Sequence, residues 1–547
     1  MSLLFICLAA IAQLDEPFPT WTAEPSKATR LPATVGKRLS LDETIAIRDT
    51  EPLPPYQGIV AGVKLPDGTL WIGTDHGVVY RAPGKKDWRV FHSRRWLPSN
   101  QVFDVAVTAE GIVQVHTEEG MVRIVPRVTT LTQKMTEIHS DLRRRHVREG
   151  LVGSIQLKSP GRVEDGYAQH DDDNDGLWTS LYVAAEAFRF ASTGDQQAKQ
   201  KAWQSLQAMM FLEKVTGISG FVARSFVPGT QPKPGDGEWH RSGDGKWWWK
   251  GDTSSDEVVG HYFAHAVYYD LAATAEEKQQ IRQVIARITD HILDHGYYYI
   301  GPSGKPTTWG VWAPEKLNRE LNWIGDRGLN SLEILSHLKV AEHITGKPRY
   351  RDAAADLIDK HGYALNTVWQ KHIWPPEVNH SDDELAFLSY YPLLRYERDP
   401  KRRAIYLASL EYSWGIERPE QSPLFNFIYA ACRQAGKLTS TSRRPDTAGI
   451  EPGNYDLPLC VQWFRDVPQD LIDWTVKNSS RQDLGRRVAN RHRQTISERV
   501  LNVAERPLMR WNGDPYQLDG GADGRSRDDG TYILLPYWMG VYHRLLK

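Results

Sequence analysis

Two stretches near the N-terminus alternate apolar and polar residues with the two-residue period of β-strands, and they repeat each other. Residues 60–81 and 103–124 align at a constant offset of 43 positions. The matched turn and strand positions are Gly68 and Gly111, Thr74 and Thr117, and Gly77 and Gly120. This spacing suits one four-stranded propeller blade of about 40–50 residues. Two blades cannot close a propeller, so we expect this β unit, residues 57–127, to pack against the rest of the protein.

From residue 136 onward the apolar positions follow the helical period, and one arrangement recurs. A polar loop rich in acids leads directly into a helix rich in aromatic residues. The five copies of this loop lie at residues 172–176, 253–257, 328–333, 380–384 and 527–530. Charged amphipathic stretches such as 195–215 and 275–295 separate them, which is typical of helices with one solvated face. The alternation predicts a closed ring of helix pairs with the recurring loops on one face.

These patterns together predict a mainly α fold. We expect an (α/α)6-type toroid of paired helices over residues 136–547, preceded by the small antiparallel β unit of two propeller-like repeats. Residues 13–56 form an extended, Pro-rich lead without a periodic pattern. Residues 1–12 end in Ala10-Ile11-Ala12 after a short apolar run, which is the form of a cleaved signal peptide. The sequence therefore predicts an exported protein, either periplasmic or extracellular.

The charge and the aromatic content narrow the class of partner. The chain has 67 basic and 68 acidic residues, so it lacks the positive excess that nucleic acids and anionic membranes attract. No stretch after the signal peptide approaches the roughly 18 apolar residues of a membrane span. The 20 Trp and 23 Tyr residues exceed what a core requires, and exposed aromatic rings stack on the apolar faces of sugars. We therefore expect a poly- or oligosaccharide as the partner.

The acids of the recurring loops are the candidate catalytic residues. Several copies carry more acids than one helix cap needs, and helix N-termini keep such carboxylates ionised. A glycoside hydrolase needs one protonated carboxyl group as an acid and a second, ionised one as a base or nucleophile. We predict Asp175 and Asp256 as this pair, with Asp383 and Asp529 as the next candidates.

Residues 220–252 form a connection that is too long to join adjacent helices simply and too aromatic for disorder. We expect this segment to lie over the mouth of the ring and to contact the substrate. The predicted substrate-binding residues there and in two later loops are Arg224, Trp239, His240, Arg241, Trp248, Trp312, Asn322 and Trp511.

One run resembles a calcium loop without completing it. Asp171, Asp173 and Asp175 precede Gly176 as in an EF-hand, but the twelfth position is Tyr182 instead of the bidentate Glu. We therefore expect no EF-hand calcium site.

Two histidines have the spacing of a helical zinc site. His261 and His265 are four residues apart on one helix stripe with Glu257, but Tyr262 stands where metalloproteases have a Glu. We expect neither a metal ion nor a cofactor. His261 is then either a proton-transfer group at the floor of the cavity or a histidine packed among aromatic residues.

Two parts of the chain resemble known families. Residues 67–81 contain an Asp-x-Gly turn, a Leu-Trp-Ile-Gly-Thr strand and a second glycine turn, and they resemble the two-component-regulator propeller repeat. Residues 174–179 and 251–257 resemble segments of helical-toroid carbohydrate-active enzymes, a class of glycoside hydrolases and polysaccharide lyases. The second resemblance covers residues 136–547 and implies an enzyme that cleaves glycosidic bonds. It is architectural and assigns no individual catalytic role.

Three functions follow from these observations. We favour acid/base hydrolysis by paired carboxylates. A polysaccharide lyase would instead use His261 or His240 as base, Tyr262 as acid, and Arg224 with Arg241 to neutralise a uronic acid. A protein that binds or senses polysaccharide without catalysis is the third alternative, since propeller repeats of this type often belong to sensing systems.

Overall fold

The computed structural model of the protein describes residues 14–49, 51–371, 380–438, 456–487, 495–508 and 513–546. The predicted signal peptide, residues 1–12, lies outside these ranges, and export stays a prediction.

Helices account for 44% of the structure and strands for 21%. The helices are α1 (Leu41–Arg48), α2 (Leu131–Asp141), α3 (Asp175–Thr193), α4 (Gln196–Lys214), α5 (Ser255–Leu271), α6 (Ala275–Asp294), α7 (Pro314–Leu317), α8 (Arg327–Thr345), α9 (Pro348–Asp359), α10 (Tyr363–Asn366), α11 (His380–Tyr396), α12 (Pro400–Glu417), α13 (Pro423–Leu438), α14 (Asp456–Asp466) and α15 (Thr531–Tyr542).

The strands pair in antiparallel sheets and hairpins throughout the chain. They are β1 (Phe18–Pro25), β2 (Lys37–Arg38), β3 (Ile59–Lys64), β4 (Leu70–Thr74), β5 (Gly77–Arg81), β6 (Arg89–Phe91), β7 (Val102–Val107), β8 (Val113–Thr117), β9 (Gly120–Thr129), β10 (Val147–Arg148), β11 (Leu151–Val152), β12 (Ile155–Ser159), β13 (Arg162–Gln169), β14 (Phe226–Pro228), β15 (Trp239–Arg241), β16 (Trp247–Lys250), β17 (Tyr298–Ile300), β18 (Pro306–Val311), β19 (Ile472–Lys477), β20 (Arg486–Arg487), β21 (Ile496–Ser497) and β22 (Asp519–Arg527).

The prediction of a mainly α fold with one small β unit is wrong, because the protein is a mixed α/β fold. One sheet, ordered β13-β12-β22-β19, joins two distant parts of the chain, and Ile155 pairs with Arg527 in it. The sheet β14-β16-β15 and the hairpin β17-β18 lie in the connections between helices. Most side chains of β13 are exposed or half-buried, so its alternation is weak. The local pattern did not predict these strands, and the pairing of β12 with β22 joins residues that are far apart in the sequence.

The long apolar helices pack against one another in chain order. Helices α3, α5, α8, α11, α13 and α15 form successive neighbours, and α15 also contacts α3. The remaining helices flank this set: α4 packs on α3, α6 on α5 and α8, α9 on α8, and α12 on α11 and α13. Nearly all side chains of α5 are buried, whereas α6 buries one face. The largest hydrophobic core lies among these helices.

The two β repeats share the same turn chemistry. In the first, the Thr74 hydroxyl donates to the Gly77 carbonyl at 2.8 Å, and in the second the Thr117 hydroxyl donates to the Gly120 carbonyl at 2.8 Å. Both glycines have a strongly positive φ, 125° and 128°, which other residues rarely adopt. The repeat at an offset of 43 positions therefore reflects two equivalent tight turns, one in each sheet.

Residues 13–56, expected to be an extended lead, contain two strands and helix α1. Strand β1 pairs along β9, from Phe18 opposite Thr129 to Pro25 opposite Val122, and completes the four-stranded sheet β1-β9-β8-β7. Because β1 is an edge strand, its prolines do not interrupt the hydrogen bonding of a central strand. The lead thus supplies the outer strand of the second blade.

The β unit contacts the C-terminal part of the chain through polar groups. The amide of Val90 donates to Glu505 Oε1 at 2.8 Å, and Arg95 Nη2 donates to the Ile472 carbonyl at 2.7 Å. Arg95 also forms an ion pair with Asp470. These contacts hold the β unit against segments that follow the helices.

Within the described ranges, no helix has both the length and the apolar character needed to cross a bilayer.

Trp21 of β1 anchors the lead to the β unit. Its ring lies 5.8 Å from that of Phe91 and 5.6 Å from that of Tyr80. Trp21 is half-buried against this cluster, so we expect Trp21→Ala to lower the free energy of unfolding by about 2 kcal/mol, less than for a fully buried tryptophan. Denaturant unfolding would measure this. The control is Trp369→Ala, which removes an indole that is 61% exposed and should cost less than about 0.5 kcal/mol. Equal effects would contradict the anchoring role.

Candidate functional site

A cleft of about 500 Å³ lies where the first turns of α3, α5, α8 and α11 approach one another. The residues that line it are Asp173, Asn174, Arg224, Ser254, Ser255, Asp256, Trp309, Trp323, Asp326, Leu329, Asn330, Ser381, Asp382 and Leu385. Four of the five recurring acidic loops therefore contribute to one site. The N-termini of four helices add a positive field that stabilises negative charge in the cleft.

Asp256 is held in place by its neighbours at the start of α5. Asn174 Nδ2 donates to Asp256 Oδ2 at 3.0 Å, and the Ser254 hydroxyl donates to Asn174 Oδ1 at 3.0 Å. Asn174 adopts a left-handed backbone with a φ of 67°, just before α3 begins. Burial raises the pKa of Asp256 above its ordinary value, and the charge of Arg224 opposes this rise. Asp256 is thus oriented towards the cleft with a proton affinity higher than usual.

The cleft carries an excess of acidic side chains. Among the described residues that line it, Arg224 is the only cation, and its Nη1 lies 3.5 Å from Asp173 Oδ2. Beneath the lining, Glu333 is fully buried and accepts a hydrogen bond from Trp312 Nε1 at 2.9 Å. Burial raises the pKa of Glu333 well above its ordinary value, with a further rise from nearby Asp256. Acidic side chains therefore outnumber cations among the described residues of the cleft.

Two indole rings border the acids. Trp309 on β18 is 53% exposed, and Trp323 in a 3₁₀ turn is half-buried. Asp252 fixes the strand next to Trp309, because its two carboxylate oxygens accept from the Thr308 amide at 2.8 Å and the Thr308 hydroxyl at 2.9 Å. These rings offer flat apolar surfaces of the kind on which sugar rings stack.

Asp175, predicted as the partner of Asp256, does not line the cleft. Its Oδ2 is 2.5 Å from Arg148 Nη2 and also accepts from the Ser225 hydroxyl. Asp175 is buried, and burial raises its pKa to about 7 in spite of Arg148. This carboxyl group ties the start of α3 to the neighbouring segments instead of facing a ligand.

Asp383 is likewise buried, in an ion pair with Lys371. Asp529 accepts a hydrogen bond from the Thr531 amide at 2.8 Å at the start of α15, beside His146. Neither lines the cleft, so the structure assigns both predicted acids to helix ends. The acids that do line it at α8 and α11 are Asp326 and Asp382, which the sequence did not single out.

His261 lies inside the helical core below the cleft. Its Nε2 is 3.4 Å from Glu257 Oε1, and its ring stacks on His265 at 5.6 Å. Both of its ring nitrogens lack hydrogen-bond partners within the described residues. Burial lowers the pKa of His261 to about 3, so the ring is neutral at ordinary pH. His261 has no access to a ligand in the cleft.

Of the predicted substrate-binding residues, Arg224 lines the cleft. The others lie elsewhere or are not described. The sheet β14-β16-β15 contains Trp239, His240, Arg241 and Trp248. Trp312 is buried in the core, and Asn322 is exposed beside Trp323. Trp511 lies outside the described residues.

His240 and Arg241 are engaged within that sheet. His240 Nε2 is 2.6 Å from Glu238 Oε1, and Arg241 Nη1 donates to the Gly229 carbonyl at 2.8 Å. The base and the second arginine that a lyase would need therefore do not join Arg224 in the cleft. The structure separates the predicted lyase residues.

The acids that follow residue 170 have partners within the protein. Lys250 Nζ lies 2.5 Å from Asp173 Oδ1 and 3.6 Å from Asp171 Oδ2. Asp172 accepts from the Ser154 amide at 2.9 Å. Asp171 and Asp173 thus converge on one lysine, whereas Asp172 binds a backbone amide.

No protein-family model matches the chain, and no curated protein is significantly similar to it.

Gly176, the second residue of α3, leaves room for the Glu257 carboxyl group. A Cβ at position 176 would lie 1.6 Å from Glu257 Oε1. We expect Gly176→Ala to destabilise the protein by about 1–3 kcal/mol through overpacking, measured by denaturant unfolding. Combining it with Glu257→Ala should cost less than the sum of the two single changes.

Gly415 of α12 is the matched control, because a Cβ there meets nothing within 4 Å. Gly415→Ala should stabilise the protein by up to about 1 kcal/mol. Additive effects of the changes at 176 and 257 would contradict the close contact between them.

Proposed function

We propose that the protein hydrolyses glycosidic bonds of a poly- or oligosaccharide bound in the cleft. The observation that carries the proposal is Asp256, a carboxyl group with a raised pKa at the edge of an acid-rich cleft bordered by Trp309 and Trp323. Hydrolysis needs such a protonated acid together with an ionised carboxylate, and the cleft offers both types of environment.

Asp256 is the proposed general acid. Its raised pKa favours the protonated form that can donate to the oxygen of the leaving sugar. The hydrogen bond from Asn174 to Oδ2 fixes the orientation of the carboxyl group. The protein thus holds one proton donor in a defined place.

Asp382 is the proposed second carboxylate, which activates water or attacks the sugar. It lies in the first turn of α11, where the field of the helix N-terminus stabilises the ionised form. Asp326, directly before α8, also lines the cleft and is the alternative for this role.

The charge balance favours hydrolysis over β-elimination. A lyase must neutralise the carboxylate of a uronic acid, whereas this cleft combines one arginine with several acids among its described lining residues. A neutral sugar stacked on the two indoles fits this surface better. We expect the substrate to be a neutral glycan.

The proposal is tested by incubating the purified protein with neutral and uronic-acid polysaccharides. We expect release of reducing ends from a neutral glycan, and a loss of about 10³-fold or more in kcat for Asp256→Asn and Asp382→Asn. An unsaturated product absorbing in the near ultraviolet would indicate a lyase instead. Tight binding without any product would indicate a binding protein.

Asp383→Asn is the matched control for Asp382→Asn. The two residues are neighbours in sequence, but Asp383 is buried against Lys371 while Asp382 lines the cleft. We expect Asp383→Asn to reduce stability, because it leaves a buried lysine partly uncompensated. Loss of catalysis in the folded Asp383 variant, with activity retained in the Asp382 variant, would refute the assignment.

The pH dependence of kcat tests the role of Asp256 separately. As the proposed acid, Asp256 must be protonated, so activity should fall as pH rises through its pKa. The charge of Arg224 lowers this pKa. Arg224→Gln should therefore raise it and move the alkaline limb of the kcat profile to higher pH. An unchanged limb, or a shift to lower pH, would contradict the assignment.

A further inference from the structure

A second cluster of ionisable groups lies inside the protein, separate from the residues that line the cleft. We call it the His380 cluster, and it consists of His380, Glu384, Glu417 and Glu420. His380 is the first residue of α11, Glu417 is the last of α12, and Glu420 ends the following 3₁₀ turn. All four side chains are buried, with relative exposures of 3% or less.

The side chains converge closely enough to share one ion. His380 Nε2 lies 2.9 Å from Glu420 Oε1. One ligand atom from each of His380, Glu417 and Glu420 lies within 4.8 Å of the other two. Ligands bound to a transition metal at about 2.0–2.2 Å lie about 3 to 3.5 Å apart, so small side-chain movements would complete the coordination. Glu384 is one turn after His380 on the same helix and reaches the same region.

Several polar atoms of the cluster have no hydrogen-bond partner in the described part of the chain. They are His380 Nδ1, Glu384 Oε2, both carboxylate oxygens of Glu417, and Glu420 Oε2. Glu417 Oε1 has one ion-pair contact, with Lys371 Nζ at 2.5 Å, but Lys371 also serves Asp383. Arg506 adds one further buried cation near Glu420. Among the described residues, the four buried acids Asp383, Glu384, Glu417 and Glu420 therefore face two cations, Lys371 and Arg506. The excess negative charge requires an added cation or protons.

A second buried His–Glu pair, His139 and Glu186, has enough hydrogen-bond donors to satisfy its carboxylate. Glu186 Oε1 accepts from His139 Nε2 at 2.6 Å, from the Tyr182 hydroxyl at 2.9 Å and from Arg143 Nε at 3.1 Å. Its charge is therefore matched by protein donors. Glu417 instead shares Lys371 with Asp383, and Glu420 has His380 Nε2 and the charge of Arg506. Three of their four carboxylate oxygens have no hydrogen-bond donor in the described part of the chain.

We propose that His380, Glu417 and Glu420 bind one divalent transition-metal ion. Two carboxylates match the charge of the ion, and the imidazole nitrogen favours zinc and related metals over Mg²⁺ and Ca²⁺, which prefer oxygen ligands. Lys371 then remains with Asp383. The ion fastens the end of α12 to the start of α11, where Ser381 and Asp382 line the cleft.

A proton shared between Glu417 and Glu420 is the alternative. Burial raises the pKa of both carboxyl groups to about 8, so a proton could occupy the place of the ion.

The test uses the full chain, purified without a histidine tag and stripped with EDTA, with Zn²⁺ as the probe. After equilibration with Zn²⁺ and gel filtration in metal-free buffer, mass spectrometry should find about one zinc ion per chain. The metal should also raise the apparent Tm. Substoichiometric zinc and an unchanged Tm would overturn the proposal and favour the shared proton.

Glu417→Gln should weaken zinc binding by about tenfold or more, and Glu420→Gln serves if the first variant does not fold. Glu186→Gln is the matched control, because it also changes a buried Glu beside a histidine but should keep the zinc. Visible absorption of the Co²⁺-loaded protein gives a second readout of the same ligands. If the Glu417 or Glu420 variant retained as much zinc as the unmodified protein, the ion would have to bind elsewhere.

Discussion

Every carboxyl group that the chain buries loses its hydration and must gain a cation, hydrogen-bond donors or a proton. This requirement shapes the ends of the long helices. Asp175 is matched by Arg148 and Asp383 by Lys371, so these acids connect helix ends to neighbouring segments. Asp256 and Asp382 face the cleft instead. The distribution of partners thus separates acids that hold the fold from acids that can act on a ligand.

The sequence predicted which segments meet at the cleft. It predicted less accurately which of their side chains line it. The recurring acidic loops are local patterns, and four of them meet at the cleft. Successive residues on a helix point about 100° apart, so Asp382 and Asp383 face different surroundings although they are neighbours. The ion pair with Lys371 shows that Asp383 is the buried residue of the two. No local pattern in the sequence predicts that Lys371 lies beside α11.

The fold class was mispredicted for a similar reason. Strands β12 and β22 pair across most of the chain, and β13, which extends the same sheet, has no buried residues and gives little alternation. The β repeats were predictable because the pairs β4-β5 and β8-β9 join adjacent strands through the same glycine turn. Hydrophobic patterns within about twenty residues of sequence therefore predicted the β repeats and the helices. The contacts between distant residues could be seen only in the structure.

The pairing of β1 with β9 also sets an order of assembly during synthesis. Strand β1 leaves the ribosome about a hundred residues before its partner, an interval of about 5–20 s at ordinary translation rates. Strands β3 to β6 have neighbouring partners and can pair at once. The first blade can therefore form while β1 is still waiting, and the second blade is completed only when residue 129 has emerged. All strands of the β unit thus precede the helices of the cleft in the order of synthesis.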